Sequence, residues 1–352
     1  MTLSSYLLKL MGGRILTALL VLVGILQILD LLEVTTDILD RKLGGAGVAY
    51  YAMLRLPRLV EQAAPLAVLA GALFAFGKLA GDSAVTAMRS TGISAYRLTA
   101  NAMPAAIALA VLQLAIGMVI APRTDARLTE WWQETAPRDT GKAVDPITFR
   151  VGDELVVAVP RDPDGRSLEK VTIYRRDASG RLVQRTTADA AVYGEGGWRL
   201  IQPRFETLGI ASVTEGAAQT MDWTRSLTPG DIRTLAEGET SVTPAEASRA
   251  LAGGLSTRPR TFYDTQLQRA WAAPFACIVM LLLAAPSALA NFRGGGATIV
   301  VQCMAAGLLY LVFDGAFTAL GENGAAPALL AAWAAPVMFG AFGATMLLYR
   351  EG

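Results

Sequence analysis

The chain has 352 residues, of which 53% are hydrophobic and 17% are charged, and its formal net charge is +1. Soluble domains carry about 25% charged residues, so this composition excludes a single soluble globule and indicates a membrane protein. The near-zero net charge excludes a nucleic-acid-binding protein with a broad basic face. The absence of histidine excludes zinc sites built on histidine and Ser-His or Cys-His catalysis.

Charged residues are concentrated in the middle of the chain. Counting along the sequence, 41 of the 31 + 30 charged residues lie between Arg123 and Arg269. We therefore expect a polar middle bracketed by two apolar, membrane-embedded ends. Cys277 and Cys303 fall in an apolar end, where cysteine usually acts as a small buried hydrophobe. The polar middle must then fold without disulfides.

Six stretches carry no charge over lengths close to that of a bilayer, for which about 20 mostly apolar residues are needed. We expect them to form six transmembrane helices, with the first two extended by residues at the interface or inside a bundle. The runs are Ile15–Leu29, Gln62–Gly77, Leu98–Pro122, Ala270–Phe292, Gly294–Phe313 and Asn323–Tyr349.

Basic residues between the runs predict how the chain is oriented. Under the positive-inside rule, both termini and the links after the second and fourth runs are cytoplasmic, which places the polar middle outside. The flanking basic residues are Lys9, Arg14, Lys78, Arg89, Arg97, Arg293 and Arg350.

The segment between the first two runs does not follow this rule, because it is predicted to be external yet carries Arg41, Lys42, Arg55 and Arg58. Two interpretations are open. The charges can belong to solvated helix ends, since Glu33, Asp37, Asp40 and Glu61 lie in the same segment and balance them. Alternatively, they form a basic surface at the outer leaflet that binds an anionic headgroup or phosphate.

The polar middle shows short β-rich segments separated by turns, which predicts an all-β sandwich or jelly roll. It lacks calcium-loop spacing and nucleophile motifs, so we expect it to bind or conduct rather than catalyse. Further along, Thr243-Pro244-Ala245-Glu246 predicts a capped helix start. The predicted strands are Glu154–Val159, Val171–Arg175, Leu182–Thr187, Ala190–Tyr193 and Trp198–Gln202.

The cytoplasmic link after the second run predicts a short helix, which Asp82 or Ser83 can cap and Gly92 can end. Val85 and Met88 fall on one face of it at i, i+3 spacing. Such an apolar stripe suits a groove on a partner protein, or else a helix lying on the membrane surface.

Two other features bear on chemistry. Asp314 is the clearest intramembrane acid, and such residues indicate a proton relay or polar pairing unless they lie near the interface. Gly71 to Lys78 does not fit a phosphate loop, because five residues separate its glycines and Leu79 follows the lysine. We therefore expect that the chain is not an enzyme and does not itself hydrolyse ATP.

Several stretches of the sequence are typical of one known protein family. They are Leu56–Arg58, Pro65–Leu73, Gly77–Ala80, Asp82–Ser94, Tyr263–Pro274, Pro286 and Arg293–Gly295. On these stretches, and over essentially its whole length, the sequence resembles the LptF/LptG permease family, the transmembrane subunits of the bacterial lipopolysaccharide export ABC transporter. The N-terminal Asp30–Glu33, with Asp37 and Asp40, is more similar to the LptG branch than to the LptF branch.

This resemblance implies a multi-pass protein of the Gram-negative inner membrane, with six transmembrane helices and an inserted periplasmic β-jellyroll. Its domains would be residues 1–122, 123–262 and 263–352. It also implies an LptF-like permease partner that shares a V-shaped cavity, an LptB-like ATPase dimer and an LptC-like bitopic protein. ATP and Mg would be bound by the ATPase, leaving this chain without a cofactor or metal.

The resemblance also implies roles for individual residues. Arg41, Lys42 and Arg58 match positions that hold lipopolysaccharide phosphates, although Thr35 or Thr36 stands near the first basic position of the family's set. The family's coupling helix, which docks on the ATPase, matches a segment where Ala84 replaces the usual acid after Ser83. The residues implied in coupling are Asp82, Ser83, Val85, Met88, Arg89 and Gly92.

Two alternatives to lipopolysaccharide export stay open at this point. The same architecture would serve a permease for another envelope lipid. A membrane scaffold or sensor, whose β domain binds a periplasmic ligand, would need no ATPase partner.

Overall fold

The computed structural model describes residues 3–81, 90, 95–135, 146–162, 164–177, 179, 181–194, 197–208, 213–224, 227–236, 242–289 and 296–351. The chain divides into two compact units. The helical unit comprises Met1–Pro137 and Thr265–Gly352, and the β unit comprises Arg138–Asp264. The first boundary lies beyond residue 122 because the third apolar segment continues as a helix to Glu134.

Long helices make up most of the helical unit. A π-helical turn, Ile116–Ile120, joins α3 to α4, and a 3-10 turn, Ala285–Leu289, follows α8. The two short helices α5 and α6 belong to the β unit. The helices are α1 (Leu3–Asp40), α2 (Gly44–Gly81), α3 (Ala95–Ala115), α4 (Ala121–Glu134), α5 (Pro229–Ala236), α6 (Pro244–Leu251), α7 (Arg260–Ala272), α8 (Phe275–Ala284), α9 (Gly296–Glu322) and α10 (Ala328–Glu351).

Five segments among the described residues are long and apolar enough to cross a membrane. The run predicted as the fourth span is broken, since Arg260–Ala272 and Phe275–Ser287 meet at 54° and count as a sixth span only together. Pro274 stands at the break, and its missing N–H cannot continue the helical hydrogen-bond ladder. The five segments are Ser5–Asp40, Gly44–Gly81, Tyr96–Trp132, Thr298–Glu322 and Ala328–Tyr349.

The second half of α2 forms the centre of the helical core, and 12 of the 17 residues from Ala63 to Leu79 are buried. Gly71 allows α1 to approach closely, because a Cβ added there would lie 2.5 Å from the Cα of Ile15. The small residue at this position therefore serves close helix packing. Cys277 and Cys303 are free and buried, as predicted.

Large apolar side chains cover the outer faces of α1, α9 and α10. Leu20, Leu32 and Val312 are each about two-thirds exposed or more, at 66%, 72% and 67%. An apolar surface of this extent is unfavourable in water. It suits contact with lipid chains or with other membrane helices.

The β unit is one antiparallel sheet of nine strands in the described residues. Their order is β7-β6-β4-β3-β2-β1-β9, and β5 and β8 branch from β4. The strands are β1 (Ile147–Val151), β2 (Glu154–Pro160), β3 (Ser167–Arg176), β4 (Leu182–Gly194), β5 (Gly197–Ile201), β6 (Arg204–Leu208), β7 (Val213–Ala217), β8 (Thr220–Trp223) and β9 (Leu255–Ser256).

The longest strand, β4, causes the branching. Its first half pairs with β6 and its second half with β5. The two strands predicted at Leu182–Thr187 and Ala190–Tyr193 are therefore one strand, which no glycine or proline interrupts. By contrast, β9 has only two residues and pairs with the end of β1. Two residues are too few to show the alternation by which a strand is predicted from sequence.

Polar groups inside the β unit find partners. The indole Nε1 of the buried Trp198 donates to the Leu227 carbonyl over 2.9 Å. The predicted capping box is confirmed at the start of α6, where Thr243 Oγ1 accepts from the Glu246 N–H at 3.1 Å. In return, the Glu246 carboxylate accepts from the Thr243 N–H at 2.9 Å.

Candidate functional site

Arg41 and Lys42 form the turn that joins the end of α1 to α2. Lys42 has a φ of 60°, and its backbone N–H donates to the Leu39 carbonyl at 2.9 Å. Its side chain is exposed and makes no hydrogen bond or ion pair to a described residue. Arg41 is half-buried, because its Nη1 donates to the Trp132 carbonyl at 2.6 Å. That carbonyl belongs to the last turn of α4, where carbonyls lack intrahelical donors. Arg41 therefore caps α4, while Lys42 is available to solvent or a ligand.

Aromatic rings surround this cap. The Arg41 guanidinium lies 3.9 Å from the centroid of the Trp132 ring, a stacking contact that arginine makes readily. Tyr50 and Tyr51 on α2 contact Trp131 and Trp132 with ring centroids 5.3 and 6.2 Å apart. Tryptophan and tyrosine are the side chains that favour a membrane–water interface. The cluster ties the start of α2 to the end of α4.

Arg58 lies further along α2 and pairs with Glu61. Its Nη1 is 3.1 Å from Glu61 Oε2, and its side chain is 34% exposed. A guanidinium has five N–H donors, so this one side-chain bond to a described residue leaves donors for an anion. Arg58 thus combines a fixed position with spare hydrogen-bonding capacity.

Arg55, also on α2, pairs with Asp30 on α1, with Nε 3.1 Å from Oδ1. Two of the four basic residues in this segment are therefore ion-paired, as the charge-balanced interpretation predicts. The paired Arg58 keeps free donors, whereas Arg41 and Lys42 make no ion pair to a described acid.

The structure does not bring the three predicted phosphate-binding residues into one cluster. Arg58 lies 58 − 44 residues after the start of α2 at Gly44, which is about 21 Å along the helix axis at about 1.5 Å per residue. A single phosphate group therefore cannot bind both Arg58 and the turn at Lys42.

Asp314, the predicted intramembrane acid, pairs with Arg269. Arg269 Nη2 lies 3.1 Å from Asp314 Oδ2, and its Nη1 donates to Thr318 Oγ1 at 2.8 Å. One turn along, Gln266 Nε2 donates to Glu322 at 2.6 Å. These bonds join α7 to α9. The geometry matches the polar-pairing interpretation of Asp314.

The ion pairs Arg55–Asp30, Arg58–Glu61 and Arg269–Asp314 all lie at ends of the uncharged runs. Asp30 follows the first run, Glu61 precedes the second, Arg269 precedes the fourth and Asp314 follows the fifth. Because successive spans alternate in direction, these run ends all lie on one side of the membrane. Paired charges at such a level are expected where helices leave the hydrocarbon.

The predicted coupling residues cannot be placed in the structure. Asp82, Ser83, Val85, Met88, Arg89 and Gly92 all lie outside the described residues. Helix α2 is described as far as Gly81, and the next element whose bounds are described is α3, which begins at Ala95.

Sequence reasoning missed two residues that hold this region together. Trp132 supplies the carbonyl and ring that fix Arg41, and Gln113 on α3 donates from Nε2 to the Glu61 carbonyl at 3.2 Å. Gln113 had a detectable signal, since it is a polar side chain inside an uncharged run. Within the described ranges, no group of three or more metal-ligating side chains comes together.

The fold and the site define a class. Apolar helices in the described chain, an inserted β domain, and charges at the ends of the apolar runs indicate a multi-pass membrane protein of the permease type. The chain matches the family described as lipopolysaccharide export system permease LptF/LptG over residues 5–350, and it belongs to that family.

Curated relatives agree with this family. A Haemophilus influenzae protein, named lipopolysaccharide export system permease protein LptG, is 26% identical over 326 residues, which cover 88% of each chain. The protein of the same name from Escherichia coli K12 is 24% identical over 193 residues, or 54% of each chain. The similarity to LptG proteins agrees with the branch that the acidic residues near Asp30 indicate.

Proposed function

We propose that the chain is the LptG-like permease subunit of an ABC transporter in the inner membrane of a Gram-negative bacterium. The subunit takes lipopolysaccharide from the outer leaflet and passes it to a periplasmic bridge toward the outer membrane. The family match over residues 5–350 is the observation that carries this proposal. The names of the two curated relatives supply the substrate.

Lipopolysaccharide phosphates bind on the external side at two separate levels. Lys42, with the guanidinium N–H groups of Arg41 that do not bond Trp132, contacts one phosphate at the turn between α1 and α2. Arg58 binds another phosphate about 21 Å further along α2, where its free guanidinium donors form charge-assisted hydrogen bonds. Acyl chains lie against apolar helix faces such as those of α1 and α9.

The orientation follows the positive-inside rule. Both termini face the cytoplasm, and the β unit faces the periplasm. Lysine and arginine at the opposite helix ends, including Lys9 and Lys78, support this assignment.

Transport needs partners that this chain does not contain. An LptB-like ATPase dimer binds ATP and Mg and docks on residues 82–92, an LptF-like subunit completes the cavity, and an LptC-like bitopic protein receives the lipid. No cofactor is assigned to this chain. The mismatch between the sequence near Gly71 and a phosphate loop supports placing ATP hydrolysis in a partner.

The test is lipid-stimulated ATP hydrolysis by the reconstituted complex. The double variant Lys42→Gln/Arg58→Gln should lose roughly tenfold or more of its response to lipopolysaccharide, because two charge-assisted contacts are removed. Lys9→Gln, at the opposite end of α1, is the matched control and should respond normally.

Two results would contradict the proposal. Purification in mild detergent that yields no ATP-hydrolysing subunit would favour the scaffold or sensor. Recovery of a different bound envelope lipid by mass spectrometry, with no response to lipopolysaccharide, would favour another substrate.

A further inference from the structure

Pro65 leaves a backbone carbonyl of α2 without its helical partner. A proline inside a helix has no N–H, so the carbonyl four residues earlier loses its hydrogen bond. That carbonyl belongs to Glu61, the residue that pairs with Arg58. In a membrane, a free carbonyl of this kind must be satisfied by a neighbouring helix.

Gln113 on α3 satisfies that carbonyl. Its Nε2 donates to Glu61 O at 3.2 Å, and its Oε1 accepts from Cys277 Sγ at 3.3 Å. The residue is only 6% exposed. Both ends of the amide are therefore bonded, and the Glu61 backbone is attached to α3 and through it to α8.

The Glu61 side chain also lies against the π-helical turn that follows α3. Gly117, in that turn, faces the carboxylate, and a Cβ added there would lie 2.7 Å from Glu61 Oε1. A larger residue at this position would therefore displace the end of the glutamate side chain. Gln113 bonds the backbone of Glu61, and Gly117, four residues later, leaves room for its carboxylate, which in turn bonds Arg58.

We infer that Gln113 and Gly117 are positioning residues that set the place of the Arg58 guanidinium for phosphate binding, acting through Glu61. The inference rests on the proposed function, because it assumes that Arg58 binds a lipid phosphate. Positioning matters here since bidentate phosphate binding depends on the orientation of the planar guanidinium.

The experiment measures binding of diphosphoryl lipid A and of chemically dephosphorylated lipid A to the purified full complex in nanodiscs. The ratio of the two affinities reports the phosphate contacts, whereas a general packing defect lowers both affinities together. Gln113→Leu should reduce the ratio roughly threefold, the size of a typical interhelical hydrogen bond in a membrane. Asn101→Leu, an amide-to-leucine change on the same helix, should leave it unchanged.

A second substitution makes the test specific for the carbonyl. Pro65→Ala restores an N–H that can bond Glu61 O within α2, so Gln113→Leu should cost little in that background. Gly117→Ala should also reduce the ratio by pushing the carboxylate from its seat, but Pro65→Ala should not rescue it. Equal effects of Gln113→Leu in both backgrounds would overturn the positioning role.

Failure of the inference and failure of the proposed function give different results. If Arg58→Gln leaves the ratio unchanged, Arg58 is not part of the headgroup site and the proposed function loses that residue. If Arg58→Gln lowers the ratio but Gln113→Leu and Gly117→Ala do not, the positioning role alone is overturned.

Discussion

Glu154 in the β unit and Arg58 in the helical unit are both ion-paired, but they differ in how many of their hydrogen-bonding atoms have a partner. Arg175 donates to Oε1 of Glu154 from Nε and Nη2, at 3.2 and 2.9 Å. Trp223 Nε1 donates to the other oxygen at 3.0 Å. Arg58 instead makes one ion pair and is 34% exposed.

Other polar groups of the helical unit also lack hydrogen-bond partners. Both amide atoms of Gln27 on α1 are buried and lack a hydrogen-bond partner among the described residues. A fully satisfied buried network makes a domain rigid, whereas unused polar groups call for a further partner. The β unit therefore has the bonding of a self-contained fold, while the helical unit keeps polar capacity for another molecule.

The largest expected effect tests the β side of this comparison. Glu154→Ala leaves the Trp223 N–H without its acceptor and the Arg175 guanidinium without its carboxylate. It should lower the free energy of unfolding of the β unit by about 3 kcal/mol. Hydrogen exchange of β2 and β3 peptides in the intact protein, followed against denaturant, measures this loss.

The matched control is Asp222→Ala. It breaks the Arg199–Asp222 pair, whose side chains are 63% and 71% exposed, and should cost less than about 1 kcal/mol. Equal losses of unfolding free energy in the two variants would contradict the distinction between a buried, fully bonded charge and a solvated one.

The second prediction sharpens the helical side. Arg269→Met leaves Asp314 without its ion pair and should destabilise the helical unit by about 2 kcal/mol in reversible detergent unfolding. Adding Asp314→Leu removes the unpaired charge and should restore most of that stability. Transport by the stable double variant separates the two interpretations of Asp314: a proton relay requires its carboxyl group, and polar pairing does not.

The third prediction concerns packing rather than charge. Gly71→Ala places a Cβ against the backbone of Ile15, so α1 and α2 must move apart at a cost of about 2 kcal/mol. Gly24→Ala, where nothing lies within 4 Å of the added Cβ, is the control. A drop in thermal stability for Gly24→Ala as large as that for Gly71→Ala would contradict the close approach.

The smallest expected effect is a pH dependence in the β3–β4 turn. Hydrogen bonds from Ser179 and from the Arg181 backbone lower the pKa of Asp177 from 3.8 to about 2. Because the folded pKa lies below the unfolded one, the stabilising contribution is present above pH 3.8 and is lost as the pH falls toward 2. Unfolding of the β unit across this window should depend less on pH in Asp177→Asn, and an unchanged profile would contradict the turn's role.

Much of the membrane architecture could be predicted from the sequence. Uncharged runs correspond to the long helices because a bilayer admits few charges. Alternation bounded by turn residues located four of the nine described strands, β2 to β5, and missed the other five. The bend between α7 and α8 could also be predicted locally, because a proline, Pro274, stands at the break. The single strand β4 did not, because the division at Thr187 and Ala190 rested on propensity and the pairing with β5 and β6 overrides it.

The candidate site divides in the same way. Residue types and positions alone indicated Arg41, Lys42 and Arg58, since basic residues on the external side violate a charge rule. Which of these side chains can bind a ligand depends on the residues that the packing of the helices brings next to them. Arg41 donates to the carbonyl of Trp132, 132 − 41 residues away, whereas Arg58 bonds Glu61, one turn away, with one nitrogen and keeps its other donors for a ligand.

The sequence by itself determined the division into apolar ends and a polar middle, because burial of apolar surface and exclusion of charge depend on composition along the chain. Only the tertiary structure decided that the basic residues lie at two levels, that Asp314 meets Arg269, and that Gln113 takes the carbonyl freed by Pro65. These contacts join residues far apart in the chain, and their geometry depends on how the helices pack against one another.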